Sequence, residues 1–197
     1  MKALVLCGGL PQIAMMKELK SRGVTVVLAD MNEKVGARAY ADIFYPVSTF
    51  DIPALTEVAK GLGVTLCLEN STAATPLSTL SATAQLVKEI GSESLRLSVS
   101  VGAATSHGED FLGIIDEYSE LISVVRAEDS TEGSENPLPL FEGSVNWAAL
   151  AELLFSLGYS GVLSVTAPVY CGADALDPEE VVALEKRSAS YAALIAG

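Results

Sequence analysis

The sequence is poor in basic residues, in histidine and in long apolar runs. Its 197 residues include 12 lysines and arginines against 25 aspartates and glutamates, which gives a formal net charge of −13. A nucleic-acid-binding surface must neutralise phosphates with basic side chains, so this balance argues against a nucleic-acid partner. No apolar run approaches the roughly 18 residues that span a bilayer, and we therefore expect no membrane-spanning segment and no membrane partner.

Cysteine is scarce as well, with only Cys7, Cys67 and Cys171 in the chain. Their odd number, and the position of two of them within apolar runs, predicts buried, reduced thiols rather than a disulfide framework. The apolar run at the N-terminus is short and ends at Gly8, which favours a first β-strand over a signal peptide. These features together predict a cytoplasmic protein.

Apolar residues, by contrast, make up 50% of the chain, which excludes a disordered acidic tail. The charge is distributed unevenly. Residues 1–60 carry seven basic and six acidic side chains, whereas residues 61–197 carry five and nineteen. We interpret this break as the junction of two segments with different histories.

Short runs rich in valine, leucine and isoleucine alternate with segments of helical periodicity. Nearly continuous apolar runs are typical of strands buried on both faces of a parallel sheet. The predicted strands are residues 4–7, 24–29, 43–47, 64–68, 95–101, 121–125 and 161–165. We therefore predict an α/β fold of about seven βα units whose parallel sheet is TIM-barrel-like, closed or nearly closed. An open, Rossmann-like three-layer sandwich is the alternative.

Helix starts are marked by residues that stabilise a first turn. Pro11 predicts the first helix, Asp51 and Asn146 are predicted caps, and Asp177 begins a capping box. Residues 127–146 are rich in Glu, Ser, Gly and Pro and follow the carboxyl end of a predicted strand, where α/β proteins place their sites. This segment is therefore a candidate site loop, with a solvated connection as the alternative.

The N-terminal segment contains three candidate residues for a nucleotide site. Gly8 and Gly9 join the first strand to the first helix, where glycine allows a phosphate to approach the backbone. Asp30 ends the second strand, where a carboxylate can accept from ribose hydroxyls. The full GxGxxG spacing is absent, so a purely structural turn is the alternative.

Residues 4–12, 26–32 and 40–48 resemble the domain that precedes the ATP-grasp fold in carboxylate–amine ligases. The resemblance covers residues 1–60 and implies a half-Rossmann unit. It does not imply ligase activity, because the later domains that hold ATP in that family have no counterpart here.

Residues 63–70, 138–147 and 158–161 resemble the xylose-isomerase-like sugar phosphate isomerase/epimerase barrels. The resemblance extends to the C-terminus and corresponds to the second half of that eight-stranded barrel. It implies a divalent metal, held by carboxylates and histidine at the ends of successive strands, that polarises a carbonyl while carboxylates move a proton.

Most of the ligand positions implied by this resemblance carry other residues. Glu69 matches the first ligand and is the only one retained; the other positions are occupied by Ser100, Ala103, Arg126, Pro137 and Thr166. One carboxylate cannot hold a catalytic divalent ion and Arg126 would repel it, so we expect no metal and no cofactor.

Four further residues bear on this site. Glu128 and Asp129 leave a rearranged metal site conceivable, and Phe141, at a usual glycine, is expected to add bulk where substrate would sit. His107, the single histidine, matches no ligand position and is predicted to be a solvated loop residue.

The sequence thus predicts a single fused α/β domain over residues 1–197, with a half-Rossmann-like segment at 1–61 and a half-barrel at 62–197. We expect a chimeric or designed scaffold without catalytic function, its metal site dismantled. The alternatives are a divalent-metal-dependent sugar or keto-acid isomerase or epimerase and a nucleotide-binding module. A free sheet edge would favour a homodimer. The sequence does not identify a small-molecule ligand.

Overall fold

The computed structural model describes residues 1–73, 75–165 and 177–195, in which parallel strands alternate with helices. The strands are β1 (Lys2–Leu6), β2 (Thr25–Ala29), β3 (Ile43–Tyr45), β4 (Leu66–Glu69), β5 (Leu95–Ser100), β6 (Ile122–Ala127) and β7 (Val162–Val165). The helices are α1 (Leu10–Ser21), α2 (Ile52–Leu62), α3 (Leu80–Ile90), α4 (Val101–Ser106), α5 (Phe111–Glu117), α6 (Trp147–Ser156) and α7 (Pro178–Ile195). Each predicted strand overlaps an observed one, and the predicted α/β class with parallel sheets is confirmed.

The chain divides into two compact units. The first comprises Met1–Leu66 and Ile90–Leu95 and contains a parallel sheet of order β1-β2-β3. In β2 the apolar run is fully buried from Val26 to Ala29, as expected for a central strand covered on both faces. Met16 of α1 packs into this core, so the helix that begins at the predicted proline start covers the sheet.

The second unit comprises Cys67–Glu89 and Arg96–Gly197. Its strands follow one another in the sheet order β4-β5-β6-β7, and β6 is parallel to both β5 and β7. The β5–β6 pairing is irregular, because Leu97 pairs with Ile122 while Ser98 pairs with Val124. β6 therefore contains one extra residue at this point.

The predicted caps form as their chemistry requires. The Asp51 carboxylate accepts a hydrogen bond from the Ala54 amide at 3.1 Å, and the Asn146 side chain accepts from the Ala149 amide at 3.1 Å. Gly63 ends α2 with φ of 68°, a left-handed conformation that glycine adopts without steric cost.

The prediction of buried cysteines is wrong for Cys7, which is exposed, while Cys67 is half-buried; both are free thiols. Burial raises the pKa of the Cys67 thiol, and the Glu69 carboxylate adds to the rise while Arg96 opposes it. Cys171 lies outside the described residues. Among the helices of the described ranges, none has the length and apolar character to cross a bilayer.

Candidate active site

Side chains from β4, β5 and β6 meet at the carboxyl ends of these strands, the edge where α/β sheets place their sites. Glu69 ends β4, Ser100 ends β5, Arg126 lies one residue before the end of β6, and Glu128 follows that strand. These residues line a cavity of about 140 Å³. Five of the positions that the sequence singled out as former ligand positions lie around this cavity: Glu69, Ser100, Ala103, Arg126 and Pro137. The sixth, Thr166, lies outside the described residues.

The centre of the cavity is an arginine held between two carboxylates. Arg126 Nη1 donates to Glu69 Oε1 at 2.7 Å. Its Nη2 and Nε both donate to Glu128 Oε2, at 2.9 and 3.2 Å. Charge-assisted hydrogen bonds of this kind are strong, and the arginine fork fixes the orientation of both carboxylates.

Two serines of β5 complete the hydrogen bonding of these carboxylates. Ser98 Oγ donates to Glu69 Oε2 at 2.6 Å, and Ser100 Oγ donates to Glu128 Oε1 at 2.5 Å. The two serines are two residues apart and therefore point to the same face of the strand. All four carboxylate oxygens of the pair thus accept hydrogen bonds, as buried charges require.

Arg126 stays positively charged in this setting. Partial burial works against the charged form, but the carboxylates of Glu128 and Glu69 outweigh it and raise the pKa of the guanidinium above its ordinary value. The cavity therefore contains a permanent cation between two acidic side chains.

Asn70, next to Glu69, joins the ends of β4 and β5 at the wall of the cavity. Its amide Nδ2 donates to the Ser100 carbonyl at 2.9 Å, and its Oδ1 accepts from the Ser100 amide at 2.8 Å. Asn70 is 1% exposed, so neither bond competes with water. This reciprocal pair fixes the end of β5 and with it the Ser100 hydroxyl.

Asp129 does not take part in the site, although its neighbour Glu128 does. Its carboxylate is fully buried and accepts from four donors. The donors are the amides of Ser130, Phe141 and Val145, at 2.9, 2.9 and 3.2 Å, and Trp147 Nε1, at 2.8 Å. Asp129 therefore organises the loop of residues 127–146 and has no capacity left for a metal.

Phe141 and His107 are placed differently from the expectations. Phe141 has φ of 68°, which explains why glycine is usual there, but its ring lies 5.8 Å from the Trp147 ring and does not line the cavity. The expectation that Phe141 fills the substrate space is therefore wrong. His107 is exposed as predicted, and its Nε2 lies 2.9 Å from the Ser71 carbonyl oxygen.

The residues of this cavity do not fit a divalent metal. Throughout the described ranges, no group of three or more His, Cys, Asp or Glu side chains is arranged to hold one. The two carboxylates that reach the cavity centre are bound to Arg126, whose positive charge opposes a second cation. The rearranged site through Glu128 and Asp129 fails for the same reason and because Asp129 is fully engaged elsewhere.

The predicted nucleotide residues lie in the other unit and are bonded to one another. Asp30 Oδ2 accepts from the Gly8 amide at 2.7 Å, and Asp30 Oδ1 accepts from the Asn32 amide at 2.7 Å. A Cβ on Gly8 would come within 2.6 Å of the Val35 side chain, so the turn requires glycine for packing. Gly9 precedes α1 as its N-cap residue. Nucleotide binding by Gly8, Gly9 and Asp30 stays a prediction.

Sequence reasoning did not assign roles to Ser98 and Gly102. Ser98 could have been found from the alternation of two serines with apolar residues in β5, since polar side chains on one face of a buried strand need partners. Gly102 allows the close approach of Glu128, whose Cγ would lie 2.7 Å from a Cβ added at that glycine.

Comparison with known proteins identifies the architecture. A family model described as "Xylose isomerase-like TIM barrel" matches residues 50–188. An uncharacterized protein of Methanocaldococcus jannaschii is 29% identical over 119 residues, which is 56% of this chain and 39% of that protein. The chain thus spans about two fifths of the length of this relative.

Solved structures show the same fold. A D-psicose 3-epimerase from Clostridium cellulolyticum H10, solved with D-tagatose, aligns with a TM-score of 0.61 and 13% identity over 98% of this chain and 88% of that chain. The IOLI protein with a binding zinc atom aligns with a TM-score of 0.57 and 17% identity over 91% of this chain and 66% of that one. The predicted TIM-barrel-like fold is confirmed.

These matches correct two expectations. The prediction of a scaffold without catalytic function is wrong, because the family model, which describes an isomerase-like barrel, spans residues 50–188. The proposed junction of a pre-ATP-grasp segment with a half-barrel, and an engineered origin, have no support, since that one fold includes the N-terminal segment as well.

Proposed function

The chain belongs to the xylose isomerase-like TIM barrel family, and on that premise we propose that it is an isomerase or epimerase of an uncharged, sugar-type hydroxy carbonyl compound. The observation that carries the proposal is the cavity at the carboxyl ends of β4, β5 and β6, where Arg126 meets Glu69 and Glu128. An acid–base carboxylate beside a fixed cation is the combination that proton abstraction next to a carbonyl requires.

The charge of the cavity favours an uncharged substrate. Arg126, Glu69 and Glu128 together carry one net negative charge, and Glu135 also lines the cavity. A phosphate ester or a carboxylate would meet this negative field, whereas the hydroxyls of a sugar can donate to carboxylates and accept from the guanidinium. A neutral sugar therefore fits better than a keto acid.

The two carboxylates have different exposures and different proposed roles. The Glu69 side chain is 32% exposed, whereas that of Glu128 is 6% exposed. Glu69 can therefore reach a bound substrate and act as the base, while Glu128 holds the guanidinium in place. Ser98 and Ser100 keep the two carboxylates oriented through their hydroxyl hydrogen bonds.

The chemistry needs only a proton transfer. The Glu69 carboxylate takes the proton from the carbon next to the substrate carbonyl. The electron pair of that C–H bond forms a carbon–carbon double bond, and the π pair of the carbonyl moves onto its oxygen, which gives an enediolate. Arg126 donates to this oxygen and stabilises its developing negative charge. Protonation of the same carbon on its other face by water gives an epimer, and the proton on Glu69 then returns to solvent. Transfer of the Glu69 proton to the former carbonyl carbon gives an isomer, as the neighbouring hydroxyl loses its proton to become the new carbonyl and the enediolate oxygen gains one.

The test is hydrogen exchange from unphosphorylated sugars in deuterated water. Ketoses and aldoses of three to six carbons are incubated with the protein, and proton NMR follows the loss of the signal next to the carbonyl. We expect exchange with at least one sugar, and a rate lowered by on the order of 100-fold or more in Glu69→Gln, as for removal of a general base.

Glu142→Gln is the matched control, because Glu142 forms an exposed ion pair with Arg187 at 2.9 Å and does not line the cavity. It should exchange at the wild-type rate. The proposal fails if the folded wild-type protein exchanges no sugar of the panel, or if Glu69→Gln exchanges as fast as Glu142→Gln. Faster exchange with the phosphate esters than with the free sugars would overturn the assignment of a neutral substrate.

A further inference from the structure

Every carboxylate oxygen at the centre of the cavity accepts from an N–H or O–H group of the chain itself. Glu69 accepts from Arg126 and Ser98, at 2.7 and 2.6 Å, and Glu128 accepts from Arg126 and Ser100. Each of these oxygens thus has at least one lone pair engaged by a donor, and the guanidinium lies at the point between the two carboxylates that a shared ion would need. The donor groups come from two neighbouring strands, so the arrangement is built into the sheet.

The cation at this point is the guanidinium. It lies within hydrogen-bonding distance of both carboxylates, where a divalent ion would have to lie in order to share them. A guanidinium cannot be deprotonated at ordinary pH to make room for a second cation.

We propose that Arg126 replaces the divalent ion in this chain, so that the site binds no metal and the guanidinium supplies the positive charge to the substrate oxygen. The second half of this inference rests on the proposed function, whereas the first half concerns binding alone. Arg126 has five N–H bonds, and three of them account for its hydrogen bonds among the described residues. The other two can donate to a carbonyl or enediolate oxygen.

The inference predicts that metal binding can be introduced by removing the guanidinium. Arg126→His replaces a cation with a neutral imidazole, and Ser100→Asp adds a carboxylate at the end of β5, beside Glu69 and Glu128. The double variant S100D/R126H should therefore offer carboxylates and an imidazole at one point, a ligand set suited to Mn²⁺, Co²⁺ or Zn²⁺. Arg126→Lys keeps the charge and should continue to exclude a metal.

The experiment is equilibrium dialysis against Mn²⁺, Co²⁺ and Zn²⁺ with metal analysis of the protein, and calorimetric titration for the affinities. Circular dichroism verifies the fold of each variant. We expect wild type and Arg126→Lys to show no stoichiometric site, and Arg126→His or S100D/R126H to bind one ion at least tenfold more tightly than Arg126→Lys. Arg22→His, at an exposed ion pair with Glu18, is the matched control and should behave as wild type.

One stoichiometric ion in wild type, with an affinity equal to that of S100D/R126H, would overturn the inference. Wild-type binding is measured whether or not the variants fold, so the inference remains falsifiable. Sugar exchange by wild type in the presence of EDTA provides the second measurement, and its abolition by EDTA would also overturn the inference. Absence of both metal binding and sugar exchange would refute the proposed function but leave the exclusion of the metal standing.

Discussion

The substitution Asp129→Asn tests whether this buried carboxylate holds the loop that lines the candidate site. Asp129 is fully buried, and each of its two oxygens accepts two hydrogen bonds. An asparagine keeps one oxygen but puts an NH₂ group against the two donors at the other. Two hydrogen bonds to a charged group are therefore lost, and the amide hydrogens face other hydrogens.

The expected cost follows from those two bonds. A hydrogen bond to a charged group contributes about 1.5–3 kcal/mol, so we expect the free energy of unfolding to fall by about 3–6 kcal/mol. For a chain of this size a loss of that magnitude lowers Tm by on the order of 10 °C.

The single tryptophan allows the assay to follow the loop separately from the stability of the whole protein. Trp147 is 5% exposed and donates to Asp129, so its fluorescence reports on the loop itself. Urea denaturation followed by circular dichroism gives the stability, and the emission maximum of the folded state shows whether the indole has lost its acceptor and its burial. We expect a lower urea midpoint and an altered folded-state emission.

Asp51→Asn is the matched control. This variant makes the same chemical change at an exposed N-cap, where asparagine stabilises the helix as well as aspartate does. Its stability should stay within about 0.5 kcal/mol of wild type, as for most surface substitutions. If Asp129→Asn were equally harmless, the four hydrogen bonds would not stabilise the loop and the reasoning would be refuted.

Three further changes probe other parts of the fold. Asn70→Asp removes the donor to the Ser100 carbonyl and should lower the free energy of unfolding by about 1–3 kcal/mol in urea denaturation; an unchanged midpoint would contradict the role of Asn70. Burial raises the pKa of Tyr159 to about 12, so the stabilisation from its neutral phenol is complete below the ordinary value near 10 and is lost between pH 10 and 12. Between pH 10 and 12 the free energy of unfolding should therefore fall less steeply with pH in Tyr159→Phe than in wild type. An equal dependence on pH in the two proteins would contradict the raised pKa of Tyr159. Phe141→Gly and Phe141→Ala both remove the ring, but only glycine adopts φ of 68° without strain. The glycine variant should therefore be more stable than the alanine variant by about 1 kcal/mol, and the reverse order would contradict backbone strain at this position.

The strands and several helix starts could be predicted because their signals are local. Apolar runs bounded by turns marked the strands, and the Asp51 and Asn146 caps depend on residues only three positions apart. The former ligand positions could also be located, because motifs around Glu69 and at residues 138–147 fix their alignment with the barrel family. The five of these positions that lie within the described residues line one cavity.

The pairing of side chains within the cavity could not be predicted. Ser98 and Glu69 are 29 positions apart, and Arg126 and Glu69 are 57 apart, so their contacts depend on how strands align. Asp129 resembled a possible metal ligand for the same reason, since three of its four hydrogen-bond donors follow 12 to 18 residues later in the chain.

The uneven charge led to the interpretation of a junction between two proteins, which the comparisons do not support. Net charge is a property of the surface, where substitutions cost little, and it informs on solubility rather than on fold. Loss of the metal ligands was likewise interpreted as loss of chemistry, because a sequence does not show that Arg126 lies between the two remaining carboxylates.

Ser123 is the extra residue of β6. The irregularity at this residue decides to which face of the sheet the later side chains of the strand point. Side chains alternate along a regular strand, so Ile122 and Arg126, which are four positions apart, would point to the same face if β6 had no irregularity at Ser123. Instead Ile122 lines a cavity with Ile115 and Leu154 of the surrounding helices, while Arg126 reaches Glu69. Deleting Ser123 would leave Arg126 three positions after Ile122 and still on the opposite face, so the strand can lose this residue and its irregularity while the guanidinium stays beside Glu69.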